Sequence, residues 1–439
     1  MAGADRFSSL PPEVTVSILS RLPFKEAVRT SALARSWRLL WTYLPCLHIG
    51  WSGNPLGHTR KGGGPVASSW IERVHHAVSS FPGPLLHFAL SQHFSSDQSV
   101  LLQRLLDLLL QKGSLETLAF SSHLFNRVRV VIHLPSFHSL KELKLFGCHI
   151  VLPTGFQGFE RLSTLSLRLV EISNDDLNLL IHVSNSLTTL ECLDIVASND
   201  QLFSIRLSLP LLRYLKIFIN CYVEKVEVVS APCLEQASIL NYTYSDFGEL
   251  ALATLGILTS VVMVSSLDLG FDVLKSLSLA ALPYNFTFPQ VRWLKLSVNI
   301  RAMNTRIYDA FIWLIQSMPF LKVLNIQLGD YSIDTNRNVD ILVRELLSIK
   351  KHDGLSCLDQ TLKCVRIDTE NLKHVMTCMT LVKFFLLNAR VLELMKVAYR
   401  TGSEVEPSMI EELQKAKATT SSKAKFVMIS QRENVTVNV

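Results

Sequence analysis

The stretch Leu140-Lys141-Glu142-Leu143-Lys144-Leu145-Phe146-Gly147-Cys148-His149-Ile150 spaces its apolar and small residues at steps of three, two, three and two. The step of two across Leu143-x-Leu145 is the period of a strand with one buried face. Leu140 enters that strand, and Cys148 and Ile150 follow where the chain turns away. So short a strand cannot cover its own apolar face and needs neighbours of the same design.

Those neighbours are present. Leu162-x-x-Leu165-x-Leu167 follows 22 residues later and closes on Ile172. Further copies are read as starting at Leu190, Leu212, Leu234, Leu274, Val291, Leu321 and Leu362, with a weaker first copy at Leu115. Asn220 and Asn299 take the place of Cys148, where a small side chain must hydrogen-bond the turning backbone. Pro210, Pro232, Pro289 and Pro319 each lie two residues before a leading Leu or Val and mark where the chain enters a strand. The pattern matches the leucine-rich-repeat signature. Each copy contributes one parallel strand, and stacking buries what no single copy can. The spacing varies from about 17 to 41 residues, so the solenoid is irregular, with insertions on its loop side. Exposed strand positions, Glu142, Lys144, Arg213, Lys216, Arg292, Lys295, Lys322 and Asn325, are expected to form a concave face that binds a target protein.

Upstream, two helices are predicted to close the N-terminal end of this array. Ser69-x-x-Glu72 reads as a capping box, with Trp70, Val74 and Val78 on one face. The adjacent His75 and His76 point in different directions, which argues against joint metal binding. A Leu-rich helix from about Asp97 to Gln111 stops at Lys112-Gly113. The Gly- and Pro-rich residues 51–67 read as a surface loop, since no Walker-type Gly-Lys-Ser/Thr follows Gly62-Gly63-Gly64.

Residues 5–49 are predicted to form three short helices. Ser9 is a candidate N-cap with Pro11 in the first turn. Val14, Ile18 and Leu22 share a face, and Pro23 ends the first helix. A second helix runs from about Lys25 to Thr30, and a third from about Ser31 to Leu40 aligns Leu33, Trp37 and Trp41. So small a core favours a partner. The Leu-Pro-x-Glu opening, the Ile-Leu-Ser-Arg-Leu-Pro run and the Ser-Trp-Arg-x-Leu-Trp end closely resemble the F-box of plant proteins. The resemblance implies docking on a Skp-type adaptor, and through it on cullin and RING subunits. Leu10, Pro11, Ile18, Leu19, Leu22, Leu33 and Trp37 are the candidate residues for the contact or its support. Arg35-Ser36 stands where the family usually has two basic residues.

At the other end, Leu381-Val-Lys-Phe-Phe-Leu-Leu-Asn-Ala-Arg-Val-Leu-Glu-Leu-Met395 resembles the FBD region that follows repeats in many plant F-box proteins. Leu392-x-x-Met395-x-Val397 repeats the strand pattern. A helix from about Pro407 and a strand over Lys425–Ile429 complete what reads as a capping unit. The expected architecture is therefore α/β: a three-helix F-box at 1–50, a linker and helical cap at 51–113, leucine-rich repeats at 114–345, and an FBD-like cap at 346–439.

Composition bounds the function. Hydrophobic residues make up 48% of the 439 and charged ones 18%, with a net charge of +6 and no basic cluster of the kind nucleic acid needs. The eight cysteines lack metal-ligand spacing and read as core residues in a reducing compartment, which points to cytoplasm and/or nucleus. Residues 250–267 carry no charge, but their strand-like composition favours a buried repeat segment over a membrane span. No hydrolase, zincin, Walker or dinucleotide motif occurs. The expectation is a non-catalytic substrate receptor of a cullin–RING ubiquitin ligase, without cofactor or metal. A non-degradative scaffold and a small-molecule-dependent co-receptor are the alternatives.

Overall fold

The computed structural model describes residues 10–22, 24–50, 68–122, 129–198, 202–241, 247–299, 305–329, 355–369, 375–399, 424–430 and 436–438. Ser9, the residues 51–67 and the helix expected from Pro407 lie outside them. The chain divides into two units, Met1–Gln201 with Leu209–Leu212, and Leu202–Ser208 with Arg213–Val439.

In the first unit, α1 (Pro12–Leu19) and α2 (Phe24–Arg29) are followed by three 3₁₀ turns, Thr30–Ala32, Arg35–Trp37 and Leu40–Tyr43, instead of the third helix expected over 31–40. Ala34, extended at φ −151°, breaks that helix in the middle. Pro11 occupies the N-cap position of α1, so Pro12 opens the helix, as suits a residue with no N–H. The chain then leaves as strand β1 (Cys46–Ile49), where helix had been expected to continue. β1 starts a parallel sheet with β2 (His87–Gln92), β3 (Thr117–Ser122), β5 (Glu142–Phe146), β7 (Thr164–Arg168) and β9 (Thr189–Leu193). A smaller parallel sheet joins β4 (Val130–His133), β6 (Cys148–Val151), β8 (Glu171–Ile172) and β10 (Val196–Ala197). Between β1 and β3 lie α3 (Ser68–Ser79), which starts one residue before Ser69, and α4 (Ser99–Lys112), which ends on Gly113 at φ +67°. Further on, α5 (Asn174–His182) is capped by Ser173, whose Oγ accepts the Asp176 N–H at 3.0 Å.

In the second unit, β11 (Phe203–Ser208) pairs with β13 (Val223–Ser230). A longer parallel sheet runs through β12 (Tyr214–Ile219), β14 (Gln236–Asn241), β15 (Ser266–Leu269), β16 (Trp293–Asn299), β17 (Val323–Gly329), β18 (Cys364–Thr369), β19 (Leu394–Tyr399) and β20 (Lys425–Ser430). β21 (Thr436–Asn438) closes it antiparallel to β20. The helices α6 (Phe247–Ser260), α7 (Val273–Leu277), α8 (Thr305–Gln316), α9 (Ser356–Gln360) and α10 (Val375–Asn388) pack against one another in a chain.

One hydrogen-bond device recurs. The residue after each leading Leu offers its carbonyl to two successive N–H groups of the next coil. The Lys141 carbonyl accepts from Ser163 at 2.8 Å and Thr164 at 3.0 Å, and Arg292 does the same for Lys322 and Val323 at 2.9 and 3.0 Å. A carbonyl has two lone pairs, and both are used. The register this sets stacks Leu118, Leu143, Leu165 and Leu190 in one column and Leu267, Leu294, Leu324 and Val365 in another, each 0–1% exposed. Each such side chain contributes roughly 1.5–3 kcal/mol of burial. The prolines sit one step earlier: Pro210, Pro232 and Pro319 hold the second position of turns closed by Leu212→Leu209, Leu234→Ala231 and Leu321→Met318 hydrogen bonds.

The same device corrects the repeat phase. Thr188 and Thr189 donate to Ser163, so that copy starts at Leu187, and Leu190 is its central residue. Leu274-x-x-Leu277-x-Leu279 is no strand. It opens α7, because steps of three also suit a helix, and Leu279 is left 47% exposed. The true copy is Val264-x-x-Leu267-x-Leu269, pinned through Ser265 and Ser266 to Glu235. Coils at Leu44 and Leu85, pinned through Pro45 and Leu86, precede the first copy read from the sequence. Residues 247–260 are helix, not strand: Leu250, Ala253, Thr254, Ile257, Leu258 and Val261 are buried at helical spacing. Among the described residues, no helix is long and apolar enough to cross a membrane.

Where the chain passes from the larger to the smaller sheet of the first unit, one residue must adopt positive φ. Gly147 does so at +69°, and Leu169 and Asp194 do so at +51° and +52°. A side chain there costs roughly 1–2 kcal/mol, less for Asp or Asn. Burial pushes the Asp194 carboxyl above its ordinary value, partly offset by the positive charge of Arg168. A raised carboxyl binds its proton more readily in the folded state, so stability is lost as pH rises through the folded value. Asp194→Asn keeps the tolerance of positive φ and removes the charge. Its melting temperature is expected to exceed that of the parent at pH 7, with the gap closing as pH approaches about 4, the unfolded value. A gap that does not change with pH would contradict the assignment.

Candidate functional site

The N-terminal module sorts its apolar residues into two sets. Leu19, Ala27, Trp37 and Leu44 form its core, with Val16, Ala34, Leu40, Trp41 and Cys46 packed around it. Thr15 shares the inner face of α1, and its hydroxyl donates to the Pro11 carbonyl at 3.2 Å. The flank of α1 carries Val14 and Ile18 at 44% and 39% exposure. Leu22, also 40% exposed, lies three residues past the helix end at Leu19, which falls short of the helix expected up to Pro23. Leu33, Leu39 and Tyr43 on the following turns are more exposed still, Leu33 reaching 75%. Of the residues singled out from the sequence, Pro11, Ile18, Leu22 and Leu33 therefore face solvent and Leu10 is half-buried. Leu19 and Trp37 are internal supports. The 3₁₀ turns explain Leu33: without a continuous helix it no longer shares a face with Trp37.

On the repeats, the register sorts the other candidates. Arg213, Arg292 and Lys322 occupy the pinning positions at the strand entrances, at the edge of the exposed face. The Arg292 guanidinium lies 4.9 Å from the centre of the Phe320 ring. Glu142 and Lys144, two apart on β5, pair with each other at 2.6 Å. Lys216, Lys295 and Asn325 lie within the face of the second unit, in one column with Ser238, Asp268, Arg366 and Lys396.

A cleft of about 530 Å³ opens on this face, lined by Tyr214, Gln236, Ala237, Ser238, Ser266, Asp268 and Trp293. Its origin is a contrast in side-chain size. β14 and β15 place Ser238, Ser266 and Asp268 on the floor beside the exposed Gln236, while β12 and β16 flank them with Tyr214 and Lys216 at register positions on one side and Trp293 and Lys295 on the other. Asp268 Oδ2 accepts from Lys295 Nζ at 3.0 Å. Asp268 Oδ1 and Ser238 Oγ are buried with no hydrogen-bond partner. The sequence pattern pointed to Lys216 and Lys295 but not to the floor: the repeat phase at Leu274 hid Ser266 and Asp268, and Ser238, on the copy at Leu234, is a small side chain that the pattern does not distinguish from any other strand position. Among the described residues no group of His, Cys, Asp and Glu is arranged to hold a metal ion.

Comparison with known proteins agrees with this division. An F-box domain model matches residues 7–49, and the leucine-rich-repeat model described as "FBD-associated F-box protein At5g56370, LRR repeats" matches residues 102–326. Two Arabidopsis thaliana proteins, F-box/FBD/LRR-repeat proteins At3g26920 and At3g14710, are 25% and 26% identical to this chain. The matches span 74% and 88% of this chain and 75% and 87% of theirs. A third, putative F-box/FBD/LRR-repeat protein At4g00315 of the same plant, is 54% identical over 43 residues, covering 10% of each chain. With an N-terminal F-box, and with its repeats matched across more than half of its 439 residues, the chain belongs to the FBD-associated F-box proteins with leucine-rich repeats.

Proposed function

We propose that this F-box substrate-recognition protein is the receptor subunit of an SCF-type cullin–RING ubiquitin ligase. Its F-box docks on a Skp-type adaptor, and its repeats hold a target protein. The observation that carries this is the exposed flank of α1 together with the turn that follows it. Val14, Ile18 and Leu22 remain exposed although the module already has a core in Leu19, Ala27, Trp37 and Leu44. Apolar side chains left outside a finished core on a helix and the turn that follows it are the chemistry of a partner surface. The subunit acts by positioning: holding adaptor and target on one chain raises the local concentration of the target at the ubiquitin-carrying enzyme. The chain itself performs no covalent step. The cysteines, all free and with Cys148, Cys192, Cys357 and Cys378 buried, fit a role in the cytoplasm and/or nucleus.

Ile18→Glu and Leu33→Glu are expected to lower adaptor affinity by about thirtyfold or more each, the effect of losing an interface anchor. Both should leave the protection of the Thr15–Leu19 amides against hydrogen exchange unchanged, since exposed positions alter stability by only about 0.5 kcal/mol. Binding by the parent that is absent, or unaltered in both variants, sinks the proposal. Leu19→Ala provides the contrast, expected to cost about 2–5 kcal/mol and to speed exchange across α1.

A further inference from the structure

The cleft of the second unit has unmet hydrogen-bonding capacity. Ser238 is 3% exposed, and its Oγ and the buried Asp268 Oδ1 lack partners on adjacent strands, at register positions that pair directly. A buried polar atom left unpaired costs about 1–3 kcal/mol, so an occupant that supplies the missing partners gains by it. The carboxylate oxygen can only accept a hydrogen bond, whereas the hydroxyl can donate one. The floor thus presents an acceptor and a donor side by side.

Charge narrows the occupant. Lys216 and Lys295 flank a single carboxylate, and Lys295 already neutralises it through the 3.0 Å pair. A further cation gains nothing from a site whose three charged groups sum to +1. A bare anion would meet the unpaired Asp268 oxygen. A neutral group carrying both an N–H and a C=O meets both needs. Burial narrows it again: Ser238 is 3% exposed while Tyr214 and Trp293, which line the same cleft, are only half-buried, so a single side chain reaches the hydroxyl more readily than a peptide backbone does. The planar amide is also suited to aromatic walls.

We infer that this cleft is a specificity pocket for the target, taking the carboxamide side chain of an Asn or Gln with its N–H on Asp268 Oδ1 and its C=O on Ser238 Oγ. The inference rests on the repeats being the target-binding part of the protein. It names the residue class that this part reads.

The test uses the full chain and an immobilised positional-scanning peptide library in which each residue type is fixed in turn, with adaptor binding measured in parallel on the same preparation. Asn or Gln is expected to be retained about tenfold over Ala at one position, and Asp268→Ala should abolish that preference. Ser238→Ala should weaken it several-fold, and Ser266→Phe, which fills the floor and removes neither hydrogen-bonding partner, should abolish it. Should Asp268→Ala fail to fold, the two serine variants decide the matter. Selection of Arg, Lys, Asp or Glu, no selection at all, or an Asn/Gln preference unchanged by the substitutions overturns the assignment. Failure of adaptor binding alongside intact Asn/Gln selection would strike the ligase reading and leave the pocket standing.

Discussion

A single carbonyl per coil, accepting from two successive amides of the next, governs the architecture of both units. It fixes register at the strand entrance, before any side chain is placed. Once Lys141 holds Ser163 and Thr164, the column Leu118, Leu143, Leu165 has no alternative alignment, since a slip of one residue would turn every buried Leu to solvent. The outward columns inherit the same registration. That is how Lys216, Ser238, Asp268 and Lys295, distant in sequence, become neighbours across four strands. The chemistry of the exposed face is a by-product of backbone pinning.

This dependence also explains how much of the fold could be read in advance. Wherever Leu-x-x-Leu-x-Leu coincided with a turn ahead of it, as at Leu140, Leu162, Leu212 and Leu321, the strand lies where expected. Misreadings arose where the periods of helix and strand overlap. Leu274, Leu277 and Leu279 satisfy both a helix and the repeat pattern, and only the pinning of Ser265 and Ser266 to the Glu235 carbonyl, a long-range backbone contact, distinguishes them. With the phase corrected, the shortest interval of about 17 residues disappears and the stretch from Leu234 to Val291 divides into 30 and 27. The array is more regular than its side chains suggested.

At the F-box the sequence supplied the residue set, but not its division into inside and outside. Spacing of four placed Val14, Ile18 and Leu22 on one face without saying which way that face looks. Its outward direction follows from Thr15 and Leu19 packing inward, with Ala27, Trp37 and Leu44 completing the core. Nor did the pattern of Leu33, Trp37 and Trp41 reveal that a helix could not form there. Ala34 in extended backbone frees Leu33 from the core and leaves Trp37 within it.

β1 lies within the F-box match of residues 7–49, yet it is also the first strand of the parallel sheet of the first unit, with Leu47 opposite Phe88 and the Pro45 carbonyl held by Leu86 and His87. The two modules share a structural element, so the bearing of the F-box on these repeats is set by hydrogen bonds, not by the length of chain joining Ile49 to α3. Insertions and deletions between them can therefore accumulate over evolution without re-aiming the F-box, while a proline at Leu47 would break the β1–β2 pairing that a change of many residues downstream leaves intact.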